Sequence, residues 1–237
     1  MKKGEAHDDL AIDVGRNRVQ LQLEMSLTPE QYGAQRAWEK ASLERCPLHP
    51  TSSCGLSRHG TYLRKHPIPL KIARYYCKKG QTTFSLLPDF FSAKLPGTLD
   101  ELEHAVVVAE ESSSLKVAAD KVRPPETWET GDDEVEQIRD PITLEATMRW
   151  VRRRVILVHA ALLALVAVMP EVMVGTGASL LLVRKRLDTE SALLTLRRRS
   201  ASHLSALPPP LGFGPRPSPR KHGRYRTQQS MGPTRGP

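Results

Sequence analysis

The stretch CPLHPTSSCGLSRHGTYLRKHPIPLKIARYYCKKGQTTFSLLP, residues 46–88, contains all three cysteines and three of the eight histidines of this 237-residue chain. Cys46 and His49 have two residues between them, Cys54 follows, and Cys77 closes the series, giving C-x2-H-x4-C-x22-C. Zinc takes four thiolate or imidazole ligands in a tetrahedron, commonly delivered by tight turns with this spacing. The pattern predicts a Cys3His site of Cys46, His49, Cys54 and Cys77 holding structural Zn2+. His59 or His66 could stand in for His49, and the alternative reading is three buried thiols with no metal. The odd cysteine count, and a start at Met1 without an apolar leader, point to thiols in a reducing compartment rather than disulfides.

Within the stretch, RHGTYLRK and LKIARYYC read as two strands joined across HPIP, and QTTFSLLP reads as a third extended piece. Cations alternate with aromatic residues along this hairpin. Arg58, His59, Tyr62, Arg64, Lys65, Lys71, Arg74 and Lys78 form a mixture suited to neutralising phosphates beside bases or sugars.

The residues CPLHP, CG, RHGTYLRK, IARYYC and TTFSLLPDF together resemble the zinc-ribbon segment at the front of many insertion-sequence transposases and their associated bacterial proteins. That family pattern has a CPxC knuckle, a basic hairpin, a second cysteine knuckle and a TFS exit. The continuation LPDFFSAKLPGTLDELE is similar to that of a bacterial family allied to transposases. The likeness is dense over 46–104 and thinner over 105–155. It implies that Cys46, Cys54 and Cys77 are metal ligands, and that the ribbon's other cysteine positions are here His49 and Gly80. It also implies DNA binding tied to mobile elements in a bacterial cytoplasm, with a transposase or integrase partner.

Outward from the module, alternation over 19–23 allows a short strand. Thr28, Pro29 and Glu30 then open a helix expected to run about 17 residues to Cys46. After the module, Thr98 caps TLDELEHAVVVAEES, and LKVAADKV forms a short helix stopped by Pro124 and Pro125. Its small residues Ala118 and Ala119 allow a helix-turn-helix-like crossing. Residues 126–140 are acidic and read as a loop. Asp140 and Pro141 open the longest helix, which carries Arg149, Arg152, Arg153 and Arg154 as further candidate phosphate contacts and ends before Pro170. A last helix follows with Asp188 or Thr189 as its cap, and from Leu207 the chain is Pro, Gly and Arg without apolar period, hence disordered.

Net charge is +9, but it is unevenly spread: 46–95 holds eight Lys and Arg against one acid, while 96–148 holds four against fourteen. A polyanion would meet the hairpin and the C-terminal tail first. The apolar run 155–183 is interrupted by Pro170 and Glu171, which favours a buried helix over a membrane segment. No P-loop, GxGxxG, GxSxG or HExxH motif is present, and no reaction is expected of this chain.

The expected fold class is α+β: a small β zinc ribbon, a helix-turn-helix-like helical region and a disordered basic tail. The expected organisation is an N-terminal segment with one helix (1–45), a zinc-ribbon-like module (46–95), a helical domain (96–206) and a tail (207–237). The expected function is that of a DNA-binding accessory or truncated transposase-like protein. The alternative is a membrane-associated or interaction protein anchored by 155–183.

Overall fold

The computed structural model describes residues 17–123 and 143–215. The chain is α+β, with a four-stranded sheet and a helical body. The strands are β1 (Asn17–Leu23), β2 (Leu56–Arg64), β3 (Leu70–Cys77) and β4 (Thr82–Pro88), in the order β1-β4-β3-β2. β2, β3 and β4 are successive antiparallel neighbours, and β1 lies parallel to β4. The three extended runs of the hairpin region are therefore strands, and the 19–23 alternation is a strand in the same sheet.

Both faces of the sheet carry core. On one, Leu70, Ile72 and Leu87 pack with Tyr32, Phe90 and Phe91. On the other, Ala73, Tyr75, Phe84 and Leu86 pack with all three cysteines. In β2 a register shift falls between Arg58 and Thr61, at Gly60 with φ of 75°. A positive φ suits glycine, and the extra residue re-aims the strand. Arg58 thus lies opposite Tyr75, whereas Tyr62 and Arg64 lie opposite Ile72 and Leu70, over the other core.

The helix expected to reach Cys46 is shorter. α1 (Pro29–Ala34) starts with the Thr28–Gln31 capping box and Pro29 in its first turn. It ends where Arg36 turns left-handed at φ 48°, and a single 3-10 turn, Ala37–Glu39, follows. The break lets Trp38 pack on Tyr32, ring centroids 5.8 Å apart, and buries Ala37 and Ala41. A straight helix could not bring both groups to the sheet.

The helical body comprises α2 (Leu99–Glu111), α3 (Leu115–Val122), α4 (Leu144–Val168), α5 (Pro170–Met173), α6 (Leu180–Leu187) and α7 (Ala192–Arg199). α2 begins with the expected Thr98 cap, completed by Glu101. α4 begins at Leu144 under a Thr143 cap, and Asp140 and Pro141 lie outside the described residues, as does the acidic stretch 126–140. Leu102, Val106, Val158, Leu162, Leu165, Leu180 and Leu193 are central to one apolar core. No helix among the described residues is long and apolar enough to cross a membrane.

Two carboxylates on α2 order this body. Glu103 and Glu110 lie seven residues apart, about two helical turns, and so share a face. Glu103 accepts hydrogen bonds from the Ala192 and Leu193 amides at 3.0 and 2.8 Å, at the start of α7. Glu110 accepts from the Leu180 and Leu181 amides, both at 2.9 Å, and from the Ser179 hydroxyl at 2.8 Å, at the start of α6. Each carboxylate satisfies amide donors that a helix start leaves open and meets the positive end of the helix dipole. The cap of α7 is therefore neither Asp188 nor Thr189. Asp188 instead closes α6 in a left-handed conformation, and Ser191, which precedes α7, makes no side-chain cap, because Glu103 takes that role from another helix.

The two acids respond to pH in opposite senses. Burial raises Glu103, against the opposing pull of the Leu193 and Ala192 amides and of Arg184. Burial also pushes Glu110 up, but the Leu181 and Leu180 amides, His159 and Ser179 outweigh it and hold it below the usual carboxylate range. A carboxyl with a lowered folded pKa contributes stability above its unfolded pKa and loses it as pH falls through the folded value. Glu110→Gln keeps one acceptor and loses the charge. It is expected to lower stability at neutral pH by about 1–3 kcal/mol and to flatten the acid limb of a urea-denaturation pH profile. An acid limb as steep as that of the parent protein would refute this role.

The expected disorder from Leu207 onward does not hold for its first residues. Leu207 and Leu211 are buried, and Phe213 packs against both the helical core and the sheet core. The cause is Arg197, fully buried on α7, whose guanidinium donates to the carbonyls of Asp89, Phe91, Pro210 and Leu211. One side chain joins the end of β4, α7 and the 207–213 segment. Residues 216–237 lie outside the described set.

Candidate metal centre and the cations around it

Cys46 and His49 form a knuckle in which the His49 amide donates to the Cys46 carbonyl at 3.1 Å. Cys54 arrives from the following loop, where Gly55 turns at φ 68°. Cys77 ends β3. The Lys79 amide donates to the Cys54 carbonyl at 3.2 Å and ties the two loops together.

The ligand atoms of Cys46, His49, Cys54 and Cys77 all lie within 4.8 Å of one another. His49 Nδ1 is 3.6 Å from Cys46 Sγ and 3.4 Å from Cys77 Sγ. Zn–S and Zn–N bonds of about 2.3 and 2.0 Å in a tetrahedron place S and N about 3.5 Å apart. The four residues therefore fit a metal ion of zinc's size and geometry. All three cysteines are free and buried. His49 is the histidine the fold brings in. His59 stacks on Tyr76 instead, centroids 5.5 Å apart, and His66 borders a separate cleft with Trp150 and Arg154.

The thiols of the cluster differ in how firmly they hold their protons. Burial pushes the Cys54 thiol up to about 11, aided by its contacts with Cys77 and Cys46. Burial also pushes Cys77 up, but the Gly80 amide, donating to Sγ at 3.2 Å, the two other thiols and the Lys79 amide more than offset it and hold Cys77 below its ordinary value. A cation bound between the three sulfurs would displace the protons they hold, since thiolates are the ligand form.

Gly80 lies directly against the cluster. A Cβ there would lie 2.7 Å from Leu48 Cδ1, 3.3 Å from Cys77 Sγ and 3.4 Å from His49 Cε1. A side chain at 80 would have to displace the tip of the exposed Leu48 side chain and would press on Cys77 and the His49 ring.

The candidate phosphate contacts divide in two. Arg58 donates to the carbonyls of Trp38, Glu39 and Ala41 and holds the 3-10 turn in place. Arg64 lies over the Phe91 ring, 4.4 Å from its centroid, and donates to the carbonyls of Ser92, Leu95 and Gly97. Arg154 stacks on Trp150 at 3.5 Å, and burial lowers its pKa to about 10. Tyr62 is half-buried against the Tyr32 core. These four side chains are engaged within the fold. His59, Lys65, Lys71, Lys78, Arg149, Arg152 and Arg153 are exposed, and Arg74 is half-buried with its Nε lacking an acceptor.

Nothing in the sequence marked Glu103, Glu110 or Arg197 as special, since each acts on a partner far along the chain. A buried acid on the apolar face of a helix pattern, Glu103 beside Leu102 and Val106, was the one available signal. Compared with protein-family models, curated proteins and solved structures, the chain matches none.

Proposed function

We propose that this chain is a DNA-binding protein built on a structural zinc centre, acting as an accessory or truncated transposase-like protein of a mobile element. The observation that carries the reading is the metal-sized Cys46, His49, Cys54 and Cys77 cluster set at the end of a hairpin whose lysines point to solvent. Zinc, when bound, is a cross-link between the 46–54 loop and the end of β3, with no chemistry at substrate. Lys71 and Lys78 on β3 and its exit then present cations from a strand that cannot shift. A second basic group, Arg149, Arg152 and Arg153, sits at the N-terminal part of α4, and we read α2, α3 and α4 as the helix-turn-helix-like unit that offers it. The link to mobile elements rests on the resemblance of residues 46–104. The absence of a membrane-crossing helix among the described residues leaves the anchored alternative without support.

The test joins zinc stoichiometry to a salt titration of DNA affinity. One zinc per chain is expected. With some four to six phosphate contacts, log K should fall against log salt with a slope of about −4 to −5. Lys71→Ala and Lys78→Ala should each flatten the slope by about 1. Arg58→Ala should leave the slope alone and lower thermal stability instead, because its guanidinium serves backbone carbonyls. A metal-free protein whose DNA affinity ignores salt would overturn the reading.

A further inference from the structure

α4 has a second apolar face that its own core does not use. Ile156 and Leu163 are each 57% exposed, although Val158, Ala161, Leu162 and Leu165 of the same helix are buried. Ala160 is half-buried and Ala167 exposed, and they fall on the same stripe at helical spacing. The order along it is Ile156, Ala160, Leu163, Ala167. This series is self-complementary in the antiparallel sense. Turned end to end about the midpoint between Ala160 and Leu163, it sets Ile156 against Ala167 and Leu163 against Ala160, large against small in each case.

Charge selects the same arrangement. Arg149, Arg152 and Arg153 are exposed at one end of the stripe, and Glu171 is exposed just beyond the other. No ion pair within the described chain uses Arg152 or Glu171. A parallel pair would crowd six arginines together. The antiparallel register that matches large to small also turns the arginine end of α4 toward the other copy's Glu171, which follows the end of α4 at Val168, twice by symmetry.

We infer that α4 pairs antiparallel with α4 of a second copy of this chain, through Ile156, Ala160, Leu163 and Ala167 and the Arg152–Glu171 charge pairs. The dimer has a geometric consequence that rests on the proposed DNA binding. With about 1.5 Å of rise per residue, the two arginine groups centred near residue 151 stand about 32 Å apart. That is close to the spacing of about 34 Å between successive faces of B-DNA one turn apart.

Sedimentation velocity of the full chain, run over a wide concentration range, tests the dimer without DNA. A reversible monomer–dimer equilibrium is expected. Leu163→Glu, at an exposed site, should raise the dissociation constant at least about tenfold with unchanged circular dichroism. Arg152→Glu and Glu171→Arg should each weaken the dimer roughly fivefold, and the double variant should return it to within about threefold of the parent protein. A monomer at every concentration overturns the inference, as does a dimer indifferent to Leu163→Glu or charge variants that fail to rescue each other. A monomer that binds lipid vesicles through this face also overturns it. A dimer that meets these tests but ignores DNA leaves the inference standing and removes the proposed function instead.

Discussion

Replacing Arg197 with methionine is expected to destabilise the protein by roughly 3–5 kcal/mol, the range for losing one member of a buried charged network. Methionine fills much of the volume but offers no donors. The carbonyls of Asp89, Phe91, Pro210 and Leu211 would then be buried without partners, each at a cost of about 1–3 kcal/mol before relaxation. For a chain of this size that corresponds to a fall in Tm of about 10–15 °C. The damage should be local before it is global. Hydrogen exchange should rise first in 207–213, whose Phe213 amide donates to the Leu204 carbonyl at 2.6 Å, and protease should cut there. Arg197→Lys is expected to recover little, because an ammonium cannot fork to four carbonyls. Burial lowers Arg197 to about 9, so the side chain stays charged at neutral pH and the network operates as a cation among carbonyls. An unchanged melting curve with 207–213 still protected would show that the segment is held by its apolar contacts alone.

Cys77→Ser is the second large effect. Cys77 is fully buried, within 3.4 Å of His49 Nδ1, and its Sγ accepts the Gly80 amide. Serine keeps the shape but is a poor zinc ligand, so metal content should drop from about one equivalent to near zero. The metal-binding free energy of isolated small zinc domains reaches about 10–16 kcal/mol. The loss here should be smaller, since the sheet keeps its second core of Ile72, Leu87, Phe90 and Phe91 on the opposite face. A drop of about 3–6 kcal/mol is expected, with exchange rising over 44–56 and 77–81 while that opposite core stays protected. Chelator should bring the parent protein to the same melting temperature and leave the variant unmoved. A variant that retains zinc, or a parent protein whose melting ignores chelator, would contradict a structural metal.

The residues of the candidate metal centre were legible because ligand chemistry is local. Cys-x2-His is a turn whose length and residue types carry the signal, and the β2–β3 hairpin follows from strand pattern and the prolines between. The capping boxes at Thr28 and Thr98 were legible for the same reason, since a cap and its partner lie within one turn. The exclusion of His59 and His66 as stand-ins for His49 was not. It required knowing where β2 runs, because Ser57 pairs with Tyr76 and His59, two residues on, shares that face and meets the Tyr76 ring. The arginines show the same boundary. As residue types, Arg58, Arg64 and Arg154 suit phosphate as well as Arg149 does. Only the packing reveals that the first three already serve carbonyls or an aromatic ring.

By itself, the sequence determined the α+β class, the hairpin, the starts of α1, α2 and α3 and the four residues of the candidate metal centre. Each of these rests on periodicity, capping or ligand spacing within a few residues. The tertiary structure alone decided that β1 joins the sheet, that Glu103 and Glu110 start two helices 70 or more residues away, and that Arg197 folds 207–213 onto the body. Those outcomes depend on which unsatisfied backbone groups meet which buried charge. Such a meeting is set by long-range packing, and a single linear sequence does not display it.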